Sequence, residues 1–137
     1  MSIATTKLLE GVATNKEAKP FKRQFAAGIL LMSYASLRFS DAQRLKTLEV
    51  NPDSIHCTLL TCKTRKQHGL DWPWACPLTG MTGAAEWIQP ILDFRLAHER
   101  TNGTPPSFTF PRINHLWELE SADAVPYSTA RRKLSLP

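Results

Sequence analysis

From Phe21 onward, FKRQFAAGILLMSYASL sets apolar residues at Phe21, Phe25, Ile29 and Met32, with Ala26, Leu30 and Ala35 alongside. That spacing predicts a mostly buried helix. Gly28 inside the run marks a point of close packing. Further on, Ser40 and Gln43 form the pattern S-x-x-Q of a capping box, and Asp41 suits the positive end of a helix dipole. A second helix is therefore expected over about 41–48, with Leu45 and Leu48 turned inward. Asn51-Pro52-Asp53 ends it.

The period then changes. SIHCTLLTCKT alternates, with Ile55, Cys57 and Leu59 on one face and His56, Thr58, Leu60 and Cys62 on the other, which predicts a strand. RKQHG reads as a hairpin turn, and LDWPWACPL as a second strand. Pro73 and Pro77 make that strand an edge or an irregular one. After Gly80 the chain returns to helical spacing, with Trp87, Ile91 and Phe94 inward and Pro90 as a kink. TNGTPPS is a loop, FTF a short extended piece, and Pro111 to Val125 has no clear period. Ser128 is placed to cap a short final helix. Residues 1–20 read as a lead-in or the end of a preceding helix, and 21–137 as the domain proper. The fold class is α+β, mostly helical, with a small antiparallel β-hairpin or sheet.

Composition narrows the class. The chain has 137 residues, 42% of them hydrophobic and 21% charged, as in an ordinary single globular domain. No apolar run reaches membrane-spanning length, and the N-terminus lacks a secretory h-region. An intracellular protein, in cytoplasm or nucleus, with no membrane partner is the expectation. Cys57, Cys62 and Cys76 are odd in number and contain no CxxC pair, which argues against a disulfide framework and a zinc site. The net charge of +5 is a mild pointer to a polyanion, and it gains weight only if the basic residues converge.

Two segments give that convergence a shape. SLRFSDAQRLKTLEV resembles the first arginine motif of the tyrosine recombinases, the phage-integrase-like enzymes that break and rejoin DNA. TCKTRKQHG resembles the lysine-bearing β-hairpin of the same catalytic domain. The resemblance spans roughly residues 21–134 and implies an incomplete recombinase-like domain, acting in DNA recombination or integration on mobile elements. It implies that Arg38 contacts the scissile phosphate and that Lys63 acts as general acid on the leaving 5′ oxygen. It implies that Asp41 supports the site. Arg65, Lys66, Gln67 and His68 would grip the backbone of double-stranded DNA. No cofactor or metal is implied, and a full-length form is expected to assemble as a homo-oligomer on DNA.

The chemistry suits those residue types. A guanidinium presents a planar fork of donors to two non-bridging phosphate oxygens, and an ammonium can release a proton to a leaving oxygen. Backbone contacts from a basic turn position a duplex without reading its sequence.

Three departures limit the resemblance. Ser36 stands where the family has glycine. None of the four histidines, His56, His68, His98 and His115, is followed three residues later by arginine. The two tyrosines, Tyr34 and Tyr127, both precede the place of the family's nucleophile. A fragment or a degenerate copy is the expectation, one that does not complete cleavage.

Plainer readings stand beside these. Arg38 can pair with Asp41 or cap the preceding helix, Lys63 can be a solvated strand-end lysine, and RKQH can be an ordinary polar turn. Trp72, Trp74 and Trp87 read as packing residues rather than base-stacking platforms. Arg131, Arg132 and Lys133 suit the last turn of a helix on dipole grounds alone. A non-catalytic DNA-binding remnant and an unrelated small basic interaction domain are the alternative functions.

Overall fold

The computed structural model describes residues 2–59, 73–83, 85–106 and 108–124. The long apolar run is helix α2, Pro20–Tyr34, and it organises everything else. At about 100° per residue, Phe21, Phe25, Ile29 and Met32 share one face, while Ala27, Leu30 and Leu31 share the opposite one. The two faces enter two different cores. Ala27, Leu30 and Leu31 join Leu45, Ile55, Cys57, Leu59, Trp87, Ile88 and Ile91 in the larger. Phe25, flanked by Phe21, Ile29 and Met32, joins Ala42, Phe110 and Ile113 in the smaller.

The mixed polar start of the chain holds a helix, α1, over Ile3–Thr14. Ser2 caps it, its Oγ accepting from the Thr5 backbone N–H at 3.1 Å. Its inward residues Ala13, Leu9 and Val12 belong to the larger core. The segment before Pro20 is thus packed into the domain as well as helical.

After a short helix α3, Phe39–Gln43, come three strands: β1 Leu45–Val50, β2 Ser54–Leu59 and β3 Pro73–Pro77. They form one antiparallel sheet in the order β1-β2-β3. The β2–β3 pairing runs from Ser54 opposite Pro77 to Thr58 opposite Pro73, so the expected antiparallel partners are present, and among the described residues β3 is an edge. Ile55, Cys57 and Leu59 are buried on one face, as the alternation predicts. Cys57 and Cys76 are buried free thiols, and burial pushes both up to about 11. Among the described residues no three metal-binding side chains stand together. Cys62 and Trp72 lie outside the described residues.

The second helix expected over 41–48 is a correction: only Phe39–Gln43 is helical, and Leu45–Val50 is strand β1. The register shifts between Leu45, opposite Leu59, and Thr47, opposite Thr58. That bulge adds a residue to the β1 side. Leu45 and Leu48, three apart, therefore both face the core, imitating helical spacing.

A 3₁₀ turn at Glu86–Ile88 brings Trp87 into the larger core, its Nε1–H donating to the Leu78 carbonyl at 2.8 Å. Helix α4 follows, Gln89–Asn102. Pro90 lies in its first turn, where the missing N–H has no intrahelical partner to lose, so it starts the helix rather than kinking it. Gly103 ends it at φ 80°. The stretch without clear period forms a hairpin, β4 Pro111–Ile113 with β5 Leu119–Ala124. The final helix expected from Ser128 lies outside the described residues.

Two buried glutamines fasten the hairpin's lead-in to the helices. Gln43 Oε1 accepts from the Thr109 and Phe110 backbone N–H groups at 2.8 and 2.7 Å. Its Nε2 donates to the Phe110 carbonyl at 3.0 Å. Gln24 donates to the Thr109 carbonyl at 2.8 Å. With no strand beside it among the described residues, this stretch thereby meets the rule that buried backbone groups find partners.

Candidate phosphate-binding joint

The joint between α2 and α3 is built by a helix-ending motif. Leu37 N–H donates to the Met32 carbonyl at 2.8 Å, the six-residue bond of a Schellman ending. Ser36 occupies its left-handed position at φ 56°. Leu37 is then buried and points the chain inward. Arg38, next in line, is extended at φ −80° and ψ 162° and exposed, and it precedes the first turn of α3.

Asp41 fixes that residue by its backbone. Its Oδ2 accepts from the Arg38 N–H at 3.2 Å, half of a capping box. Ser40 and Gln43 do not form the capping box expected of them, because the helix starts two residues earlier and Gln43 is buried against Phe110. Arg38 lines an open cavity of about 540 Å³ together with Met32, Phe39 and Ser40. Phe39 is stacked on Phe110, ring centroids 5.2 Å apart and planes at 26°. The wall under the arginine thus continues into the smaller core. The backbone of Arg38 is fixed, while its exposed side chain keeps its rotamers and is ordered only when it grips an anion.

No family model, curated protein or solved structure matches this chain.

Of the residues singled out by sequence, Arg38 and Asp41 are brought together, through backbone rather than through an ion pair. Lys63, Arg65, Lys66, Gln67 and His68 lie outside the described residues, as do Arg131, Arg132 and Lys133. Trp87 is fully buried and Trp74 packs against the larger core, as packing residues should.

Sequence reasoning missed a second polar centre, at the inner end of the same helix. Glu10 on α1 is 1% exposed. Its Oε1 accepts from the Tyr34 hydroxyl and from the Met81 backbone N–H, and its Oε2 from the Thr82 backbone N–H at 2.8 Å. Burial pushes its carboxyl up, but the hydrogen bonds from Thr82, Tyr34 and Met81 outweigh it and hold the group below its ordinary range. Burial, reinforced by the Glu10 bond, raises Tyr34 to about 12. Tyr34 also packs edge-on against Trp87, centroids 5.2 Å apart. Tyr34 is the last residue of α2, so this cluster anchors the helix end from which Arg38 is presented. The signal that could have found it is a lone acidic residue, Glu10, three positions before buried Ala13 on one helix face.

Proposed function

We propose that this chain is part of a tyrosine-recombinase-like DNA breaking and rejoining domain, and that it binds double-stranded DNA with Arg38 on a backbone phosphate. One observation carries the reading. Ser36, at the family's glycine position, takes the left-handed backbone that glycine favours. A serine that adopts the conformation for which glycine is the default supports reading Ser36 as standing in for that glycine. The net charge of +5 and the exposed Arg38 at an open cavity add to it. Lacking His-x-x-Arg, the sequence is read as the phosphate-gripping part of such a site, with cleavage belonging to a form that carries the missing motif and a tyrosine nucleophile.

The test is duplex binding by fluorescence anisotropy across a salt series. The expected result is affinity that falls linearly with salt on logarithmic axes. Arg38→Ala should weaken binding and reduce the slope by about one. Binding without salt dependence, or unchanged in Arg38→Ala, overturns the proposal. A small basic interaction domain would then be the better description.

A further inference from the structure

Of Asn15, Asn51, Asn102 and Asn114, only Asn102 precedes a glycine. Glycine has no Cβ to obstruct a close approach, so its backbone nitrogen can reach the carboxamide carbon of the residue before it. Attack forms a bond between the Gly103 nitrogen and Asn102 Cγ and breaks the Cγ–Nδ2 bond. Ammonia leaves with the proton from the glycine nitrogen. Water then opens the cyclic imide at either carbonyl, giving aspartate or its β-linked isomer. Water is the only co-reactant.

Two hydrogen bonds keep the reacting groups apart. The Gly103 N–H donates to the Glu99 carbonyl at 2.7 Å, which turns its nitrogen back into the helix. Asn102 Nδ2 donates to the His98 carbonyl at 3.1 Å, which ties the carboxamide to the preceding turn. Asn102 is itself the last helical residue of α4. Thr101, Asn102, Gly103 and Thr104 are all exposed, so no buried side chain among them holds the turn shut. Such ends open at the low end of local stabilities.

We infer that Asn102 is a site of spontaneous deamidation, gated by opening of the last turn of α4. The reaction needs no DNA, so its outcome is independent of the duplex-binding proposal. It also runs one way. The product carboxylate lies at the negative end of the helix dipole, three residues after Glu99. It has lost the donor that bonds His98. Both changes favour the open turn, so the modified end stays looser than the original. His98 carries the change inward: its ring contacts Phe94 and Phe108, and its Nδ1 lies 3.2 Å from the Thr104 carbonyl.

The test ages the whole protein in warm, mildly alkaline buffer, folded and in urea, and follows each asparagine by peptide mass spectrometry with isoaspartate detection. In urea, Asn102 should convert ahead of Asn15, Asn51 and Asn114. In the folded protein it should still convert, but about tenfold or more slowly. Slower conversion of Asn102 than of another asparagine in urea overturns the site. Equal folded and unfolded rates overturn the gate. Folded Asn102 still intact after about a hundred unfolded half-times means that the turn does not open, and overturns the inference. Asn102→Asp makes one product directly, and amides in the last turn of α4 should then exchange several-fold faster. Unchanged exchange there overturns the one-way loosening.

Discussion

Ser36 holds a backbone conformation that costs a side-chain-bearing residue roughly 1 kcal/mol or more. Its neighbours leave no choice, because the Leu37 N–H must reach the Met32 carbonyl to close the helix. Ser36→Gly should therefore stabilise the protein by about 1 kcal/mol, read as a raised urea midpoint with unchanged slope. Duplex affinity should not change, since Arg38 keeps its mount. A destabilised Ser36→Gly protein would mean that the serine makes a compensating contact. The sequence made the mismatch at this position visible, but a dihedral angle is not written in residue type. A serine reads as neutral in a joint until the hydrogen bond around it is known.

At the scale of elements, Gly28 has a sharper role than close helix packing. A Cβ built there would lie 2.5 Å from Cε1 and Cζ of Phe110. The intruding ring comes from the lead-in to β4 rather than from another helix. Phe110 cannot retreat, being fully buried between Phe25 and Phe39 and held through its backbone by Gln43. Gly28→Ala should cost about 1–3 kcal/mol through overpacking, despite the helix propensity gained. Circular dichroism during thermal melting checks it; an unchanged or raised midpoint would show that the ring is free to move. Gln43→Leu should also destabilise, by about 2 kcal/mol or more, because it removes the acceptor of two buried backbone donors. Hydrogen exchange would show those amides exposed.

The elements were unevenly legible for physical reasons. The α2 stripe and the alternation of β2 follow a regular period and were readable. Strand β1 was not, because its bulge gives two inward leucines the spacing of a helix. The hairpin β4–β5 was hidden because short strands with two register shifts carry no clean period. Of the candidate site, Arg38 and Asp41 were legible as residue types at a helix joint. The cavity wall was not, because Met32 belongs to one element and Phe39 to the next, and only the Schellman turn brings them side by side.

The whole molecule rests on α2 serving two cores at once, and the Glu10 cluster ties that helix to α1 and to the Met81–Thr82 backbone. Its stability should therefore depend on pH at both extremes. Glu10 titrates lower folded than unfolded, so its stabilisation is present above the ordinary carboxylate range and is lost as pH falls through the folded value. Tyr34 runs the other way. It is raised from 10 to about 12, so its contribution is complete below pH 10 and disappears between 10 and about 12. Glu10→Gln should lower stability near neutrality by about 2 kcal/mol, the scale of a hydrogen bond to a buried charge. It should also flatten the acid limb of a plot of urea midpoint against pH. Tyr34→Phe should flatten the alkaline limb. Parallel curves for wild type and both variants would show that the cluster does not couple to folding. If the cluster also steadies the end of α2, Tyr34→Phe should weaken duplex binding at neutral pH while Arg38 itself is intact. Unchanged affinity would confine the cluster to stability.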